Sequence, residues 1–202
     1  MGAARTMVNA NVDAMNDADD AGKTGVTEAA GKAEEAEKAE AAGVTEAAGK
    51  AEAAAGFFSN GYNCAQSVLG ALCEELGLEL DTALRLASGF GGGVRCGELC
   101  GAVSGAILAI GLKCGYCKKG DMAQKGYCNK KTHEFVEKFR EANGSIICRE
   151  LLGADVRCPD DHNSPGAKAA HKTVCPGLVA SAVRVLEGME FESAKTDSLG
   201  GA

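Results

Sequence analysis

The sequence predicts an all-α protein: a compact bundle of about five or six short helices with a Gly-rich loop, preceded by a flexible Ala/Glu/Lys-rich N-terminal arm. Three observations predict it. Apolar residues recur at helical spacing in runs that end at glycine. Aromatic residues make up only 4% of the 202 residues, with no Trp and 28 Gly, which suits closely packed helices better than a β-sandwich. The first 56 residues offer only Val26 and Val44 as a core stripe. The expected organisation is therefore an arm over residues 1–56, a cysteine-rich helical domain over 57–190 and a polar tail over 191–202.

In the arm, Gly25-Val-Thr-Glu-Ala-Ala-Gly-Lys-Ala-Glu34 recurs letter for letter as Gly43 to Glu52, a period of 18 residues. That period is five turns at about 3.6 residues per turn, so the repeat presents one face twice. Only Val26 and Val44 can serve as a core stripe, and Gly31, Gly43 and Gly49 each weaken a helix by about 1 kcal/mol. A solvated, frayed segment is the expectation. The arm holds 5 Lys/Arg against 11 Asp/Glu, leaving 16 against 17 for the rest of the chain. A nearly neutral folded part argues against nucleic acid as a partner, since that needs a basic face.

The folded part is expected to start near Phe57. Asn63 and Gln66 form a capping pair, and Ala65, Val68, Leu69, Leu72 and Leu76 then make one face that stops at Gly77. Asp81 caps a second short helix through Leu84 and Leu86. The run Gly89-Phe90-Gly91-Gly92-Gly93 suits a tight turn. After Cys96-Gly-Glu-Leu-Cys100 comes a helix with Val103, Ala106, Ile107 and Ile110 on its buried face. Gly101 and Gly105, four apart, let a neighbouring element come close.

Cys114-Gly-Tyr-Cys117 falls in a polar loop. Asp121 and Gln124 start a helix that runs, interrupted at Gly126, to Ala142, with Asn143-Gly144 as its stop. Ser145 caps a short helix from Ile146 to Leu152 that closes at Gly153. Residues 154–172 read as a long loop, of a length that is uncommon unless it covers something. The last helix opens at Cys175-Pro176, with Leu178, Val179, Ala182, Val183 and Leu186 on its face.

All ten cysteines lie between Cys64 and Cys175. No apolar h-region opens the chain, and no run reaches the roughly 18 apolar residues of a membrane span. The expectation is a reducing cytoplasm, where clustered cysteines bind metal or do redox chemistry. Cys64, Cys100, Cys148 and Cys175 each fall at the start of a different predicted helix. There unpaired N–H groups and the helix dipole favour a thiolate, so Cys100 is expected to be acidified. Four convergent thiolates suit an iron–sulfur cluster or zinc.

The ordered set Gly61-Tyr-Asn-Cys64-Ala-Gln-Ser-Val, Ser88-Gly-Phe-Gly-Gly-Gly93, Cys100-Gly-Ala-Val-Ser-Gly105, Gly144-Ser-Ile-Ile-Cys148 and Cys175-Pro-Gly-Leu-Val resembles the C-GCAxxG-C-C family of redox-active proteins. The resemblance spans about residues 57–190 and carries the family's four hallmark cysteines onto Cys64, Cys100, Cys148 and Cys175. Members are similar to the non-haem part of split-Soret cytochromes, which implies an iron–sulfur centre, and occur beside oxidoreductases of anaerobic microbes. This chain lacks any Cys-x-x-Cys-His, so covalent haem is not expected.

The reading that follows is an electron-transfer protein serving a partner oxidoreductase rather than a stand-alone enzyme. Cys64, Cys100, Cys148 and Cys175 hold the metal, with Cys96 and Cys158 as possible extra ligands. Gly91, Gly92, Gly93, Gly97 and Gly101 give room for backbone N–H groups to approach the cofactor. The rivals are a thiol–disulfide oxidoreductase attacking through Cys100 or Cys114, with Cys114 and Cys117 as the redox dithiol, and a structural zinc module on the same four sulfurs. Cys128 joins Cys114 and Cys117 as a candidate second metal site. A homodimer interface is a further way to bring ligands together. His133 reads as a surface residue, and His162 and His171 as weak candidate ligands. Ser104 has no base, and the glycine run lacks a following Lys-Ser/Thr, so neither a hydrolase triad nor a P-loop is proposed.

Overall fold

A computed structural model describes residues 49–158 and 160–192. The arm up to residue 48, with most of its repeat, and the tail from residue 193 lie outside the described residues. Within them the fold is all-α. Its helices are α1 (Lys50–Ser59), α2 (Cys64–Leu72), α3 (Leu80–Ala87), α4 (Gly101–Cys114), α5 (Met122–Asn143), α6 (Cys148–Leu152), α7 (Pro165–Thr173) and α8 (Cys175–Glu187). The β-pairing among the described residues is a single antiparallel bridge, Leu99 to Ile147.

The centre of the bundle is α4. Gly101 through Ala106, Ala109, Ile110 and Cys114 are all buried, because α2, α5 and α8 each pack on it. From α5, Phe135 and Phe139 enter the core fully, their rings 5.9 Å apart. Each contributes about 2–3 kcal/mol of apolar burial. On the far side α1 lies across α2 and α8.

Here the folded region begins earlier than Phe57. Residues 50–56 belong to α1, and Ala51, Ala53, Ala54 and Phe57 are buried in the core. The physical reason is that alanine packs helix backbones close together without needing a stripe of large side chains. Four other local expectations change. The short helix α6 starts at Cys148, with Ile147 rather than Ser145 at its cap position, because the Leu99–Ile147 bridge keeps Ile147 extended. The cap of α3 is Glu79, whose carboxylate accepts from Thr82 N–H at 3.0 Å, rather than Asp81. Gly126 does not interrupt α5, which runs unbroken for 22 residues. Part of the expected 154–172 loop is helical: Ser164 accepts from Ala167 N–H and Pro165 opens α7.

The close approach expected at Gly101 and Gly105 is to α2. A Cβ on Gly105 would stand 2.7 Å from the Ala65 carbonyl oxygen and 3.1 Å from Val68 Cβ; one on Gly101 would stand 3.0 Å from Cys64 Cβ. Two helices therefore meet through bare backbone. Gly105→Val has to push α2 off α4, and overpacking of this kind costs about 1–3 kcal/mol. The expected result is a lowered thermal midpoint, measured by circular dichroism, whereas Gly111→Ala, where nothing lies within 4 Å, should leave it unchanged or raise it.

Candidate redox site

All four hallmark cysteines stand at helix starts and are buried. Cys64, Cys148 and Cys175 are the first residues of α2, α6 and α8, and Cys100 is the N-cap of α4. Local bonding explains each placement. Asn63 closes a capping box: its Oδ1 accepts from Ala65 and Gln66 N–H, and its own N–H donates to Gln66 Oε1. Its Nδ2 also donates to the Ser88 carbonyl at 2.9 Å, which ties the start of α2 to the glycine turn.

The starts of α4 and α6 are stitched together by the Leu99–Ile147 bridge. Cys100 N–H donates to the Ile146 carbonyl at 2.8 Å, and Cys148 N–H to the Glu98 carbonyl at 2.6 Å. The Glu98–Arg149 ion pair closes the outside of this seam. Cys175 follows α7 through Val174, so His171 on the last turn of α7 puts Nδ1 3.4 Å from Cys175 Sγ.

The thiols sense one another. The neighbouring Cys175 thiol, then burial, then the charges of Cys175, Cys100 and Cys148 push the Cys64 thiol well up. Burial pushes Cys100 up to about 11, against the backbone N–H groups of Ala102 and Val103. Burial, and then Cys100, Cys175 and Cys96, push Cys148 up to about 12. Only Cys175 falls, to about 6, held down first by the neighbouring Cys64 thiol and then by His171. The expected acidification of Cys100 is thus overturned: two helix-start donors do not offset loss of water around the sulfur.

The five glycines are crowded by protein atoms. A Cβ would meet Asn63 at Gly91, His162 at Gly92, Glu98 N and Cys148 Cβ at Gly93, Val156 at Gly97 and Cys64 Cβ at Gly101. Only Gly93 and Gly101 back directly onto cysteines of the quartet. The turn itself is left-handed from Gly92 through Gly93 and on into Val94 (φ 57, ψ 36) and Arg95 (φ 61, ψ 13). For a β-branched residue that conformation costs about 1–2 kcal/mol. The glycine run signalled a turn; nothing in the sequence signalled that it continues through Val94 and Arg95.

Cys96 is exposed, with its Sγ 3.3 Å from the Gly93 carbonyl, and lies near enough to Cys148 to raise its pKa. Cys158 is exposed in the loop, where its N–H donates to Asp161. His133 is exposed on α5. His162 is buried to 6% exposure with neither ring nitrogen bonded, and it stacks on His171 at 5.9 Å. Its burial was not foreseen, because it arises from packing against Gly92. Ser104 only returns a hydrogen bond to the Cys100 carbonyl. At the other end of α4, Cys114 is buried, and burial and then its neighbour Cys128 push its thiol up to about 11, while Cys117 is exposed.

As the side chains stand, no three His, Cys, Asp or Glu among the described residues close around a metal ion. The donor chemistry nevertheless suits a thiolate-bound metal: three buried thiols are kept protonated by one another and by lack of water, and a cation between them reverses both effects. The unbonded His162 imidazole leaves a further buried polar group on the Gly92 side. No helix of the described residues is long and apolar enough to cross a membrane.

Residues 62–189 match the model of a family described as "Putative redox-active protein (C_GCAxxG_C_C)". No curated protein and no solved structure matches the chain.

Two outcomes check this geometry. In the reduced, metal-free protein, thiolate absorbance should show one group titrating near pH 6, absent from Cys175→Ser, with Cys100 and Cys148 ionising only near 11 and 12. Since Cys175 is depressed from 9.0, its share of stability is present above pH 9.0 and is lost as pH falls through about 6. Separately, Val94→Gly removes left-handed strain from a half-exposed side chain and should raise stability by about 1 kcal/mol, read from the denaturant midpoint.

Proposed function

The chain belongs to the C_GCAxxG_C_C family of redox-active proteins, and from that membership we propose that it is an electron-transfer protein in which Cys64, Cys100, Cys148 and Cys175 hold an iron–sulfur cluster. The single observation that supports this most is the placement of four buried thiols at four helix starts, each feeling the charge of others. A bound cluster supplies one-electron chemistry without a substrate pocket.

The chain's own groups do the rest. The Ala102 and Val103 N–H groups at the start of α4 favour negative charge on the Cys100 sulfur, in opposition to its burial. The hydrogen bond to Cys175 raises the pKa of His171, which favours positive charge beside that sulfur and would offset part of the charge on a reduced centre. Val156 against Gly97 and His162 against Gly92 close the loop side against water, which favours the less charged redox state. The partner is a redox protein that exchanges electrons in a reducing compartment such as the cytoplasm.

A second reading is favoured by one specific observation: Cys175, acidified to about 6 beside Cys64, is the pairing that a thiol–disulfide oxidoreductase would use. It moves that reading away from Cys100, whose thiol is held at about 11. Zinc on the same sulfurs is the third. Anaerobic purification followed by metal and sulfide assay separates them. The expected result is iron with acid-labile sulfide and a paramagnetic signal on reduction, with iron content at least several-fold lower in Cys100→Ser. Protein that takes up no iron and sulfide on anaerobic reconstitution, or a Cys100→Ser variant that keeps its full complement, overturns the proposal. Tightly held zinc without sulfide supports the structural module.

A further inference from the structure

The C-terminal end of α4 carries a second pair of sulfurs that the quartet does not use. Cys114 is the last residue of α4 and is buried, its Sγ directed to the Ile110 carbonyl at 3.3 Å. Cys128 lies in the second turn of α5 and is partly exposed. The two helices are locked at this point by Gln124, whose Nε2 donates to the Cys114 carbonyl at 2.8 Å. Cys128 is one helical turn beyond Gln124, on the face of α5 that meets the end of α4, and its sulfur lies near enough to raise the Cys114 thiol. Cys100 and Cys114 stand at opposite ends of a 14-residue helix, which spans about 20 Å, so the pair is remote from the quartet.

We propose that Cys114 and Cys128 form a separate two-electron redox site that cycles between dithiol and disulfide with low-molecular-weight disulfides as its exchange partners. The arrangement divides the work. Cys128 is the sulfur a solvent-borne reagent meets, and Cys114 is sheltered behind it. The Cys128 thiolate attacks one sulfur of the small disulfide, forming a mixed disulfide and releasing one small thiolate. The Cys114 thiolate then attacks the Cys128 sulfur, closing the Cys114–Cys128 bond and releasing the second. Both protein thiol protons go to the two released thiolates, and two electrons pass from the protein to the small disulfide.

The surroundings suit this cycle. Lys131, one turn beyond Cys128, sits near the rings of Tyr127 and Phe191 and lends positive charge to the Cys114 sulfur. Burial and the Cys128 neighbour push the Cys114 thiol up to about 11, so Cys128, the more exposed of the two, is the sulfur that meets the incoming disulfide first. Cys117 is exposed in the loop three residues on and is not needed for the cycle.

The test equilibrates the full chain in glutathione buffers of graded ratio, blocks free thiols and maps tryptic peptides. Trypsin separates Cys114-Gly-Tyr-Cys117-Lys118 from Gly126-Tyr-Cys128-Asn-Lys130, so the expected disulfide joins two peptides, whereas a Cys114–Cys117 bond stays within one. The cross-link should persist in Cys117→Ser and disappear in Cys128→Ser. Oxidised wild type should also melt several degrees higher than reduced, because the bond shortens the unfolded chain. A disulfide confined to the Cys114–Cys117 peptide, a cross-link lost in Cys117→Ser, or free Cys114 and Cys128 under buffers that oxidise Cys117, overturns the proposal. Wild type and Cys117→Ser decide the matter even if Cys128→Ser does not fold. The site does not depend on the iron–sulfur reading, and neither result bears on the iron content of the quartet.

Discussion

The arrangement depends on one contact: the first turns of α2 and α4 meet with no side chain between them. Because Gly101 and Gly105 leave α4 bare on that face, the Cys64–Val68 turn comes to rest against it, and Cys64 reaches the neighbourhood of Cys100. A larger residue at either glycine would separate the two helix starts by the thickness of a side chain. The α4 helix, apolar almost all round, is fixed from the other sides by α5 and α8. It therefore acts as the post against which the remaining helix starts are set.

The other sulfurs arrive by different means. Cys148 is held to Cys100 by two backbone hydrogen bonds of a β-bridge, an unusual device in an all-helical chain, and Cys175 by the α7–α8 junction. The result is a concentration of buried thiols in which a proton on one affects the next. That concentration is costly unless the charge is shared. In the metal-free protein it is shared by keeping most thiols protonated and letting Cys175 alone ionise against Cys64 and His171. The strained Gly92–Arg95 turn lies against the same region, through Gly93 on Cys148 and Gly92 on His162. Strain retained beside buried reactive groups is common at functional sites.

Much of this was legible in the amino-acid order because caps and stops are local. Asn63 with Gln66, Asp121 with Gln124, Gly144 and Gly153 mark helix ends by chemistry that acts within a few residues, and each does so in the fold. What was not legible depends on contacts distant in the chain. The burial of Ala51, Ala53 and Ala54 shows only when α8 is laid against them. The rise of the Cys100 pKa needs the burial around it, which competes with the helix-start donors that the sequence does reveal. Cys128 comes near Cys114 because α5 folds back onto the end of α4, a contact between residues 14 apart that local spacing does not reveal.

The proposed cluster at the start of α4 and the proposed dithiol at its end would stand about 20 Å apart along one helix. The central claim is that the four helix-start sulfurs share one centre. X-ray absorption at the iron edge of the anaerobically loaded protein tests it most directly. The account predicts a first shell made of sulfur together with a short iron–iron vector; a shell dominated by nitrogen and oxygen, or iron with no second iron near it, would contradict it.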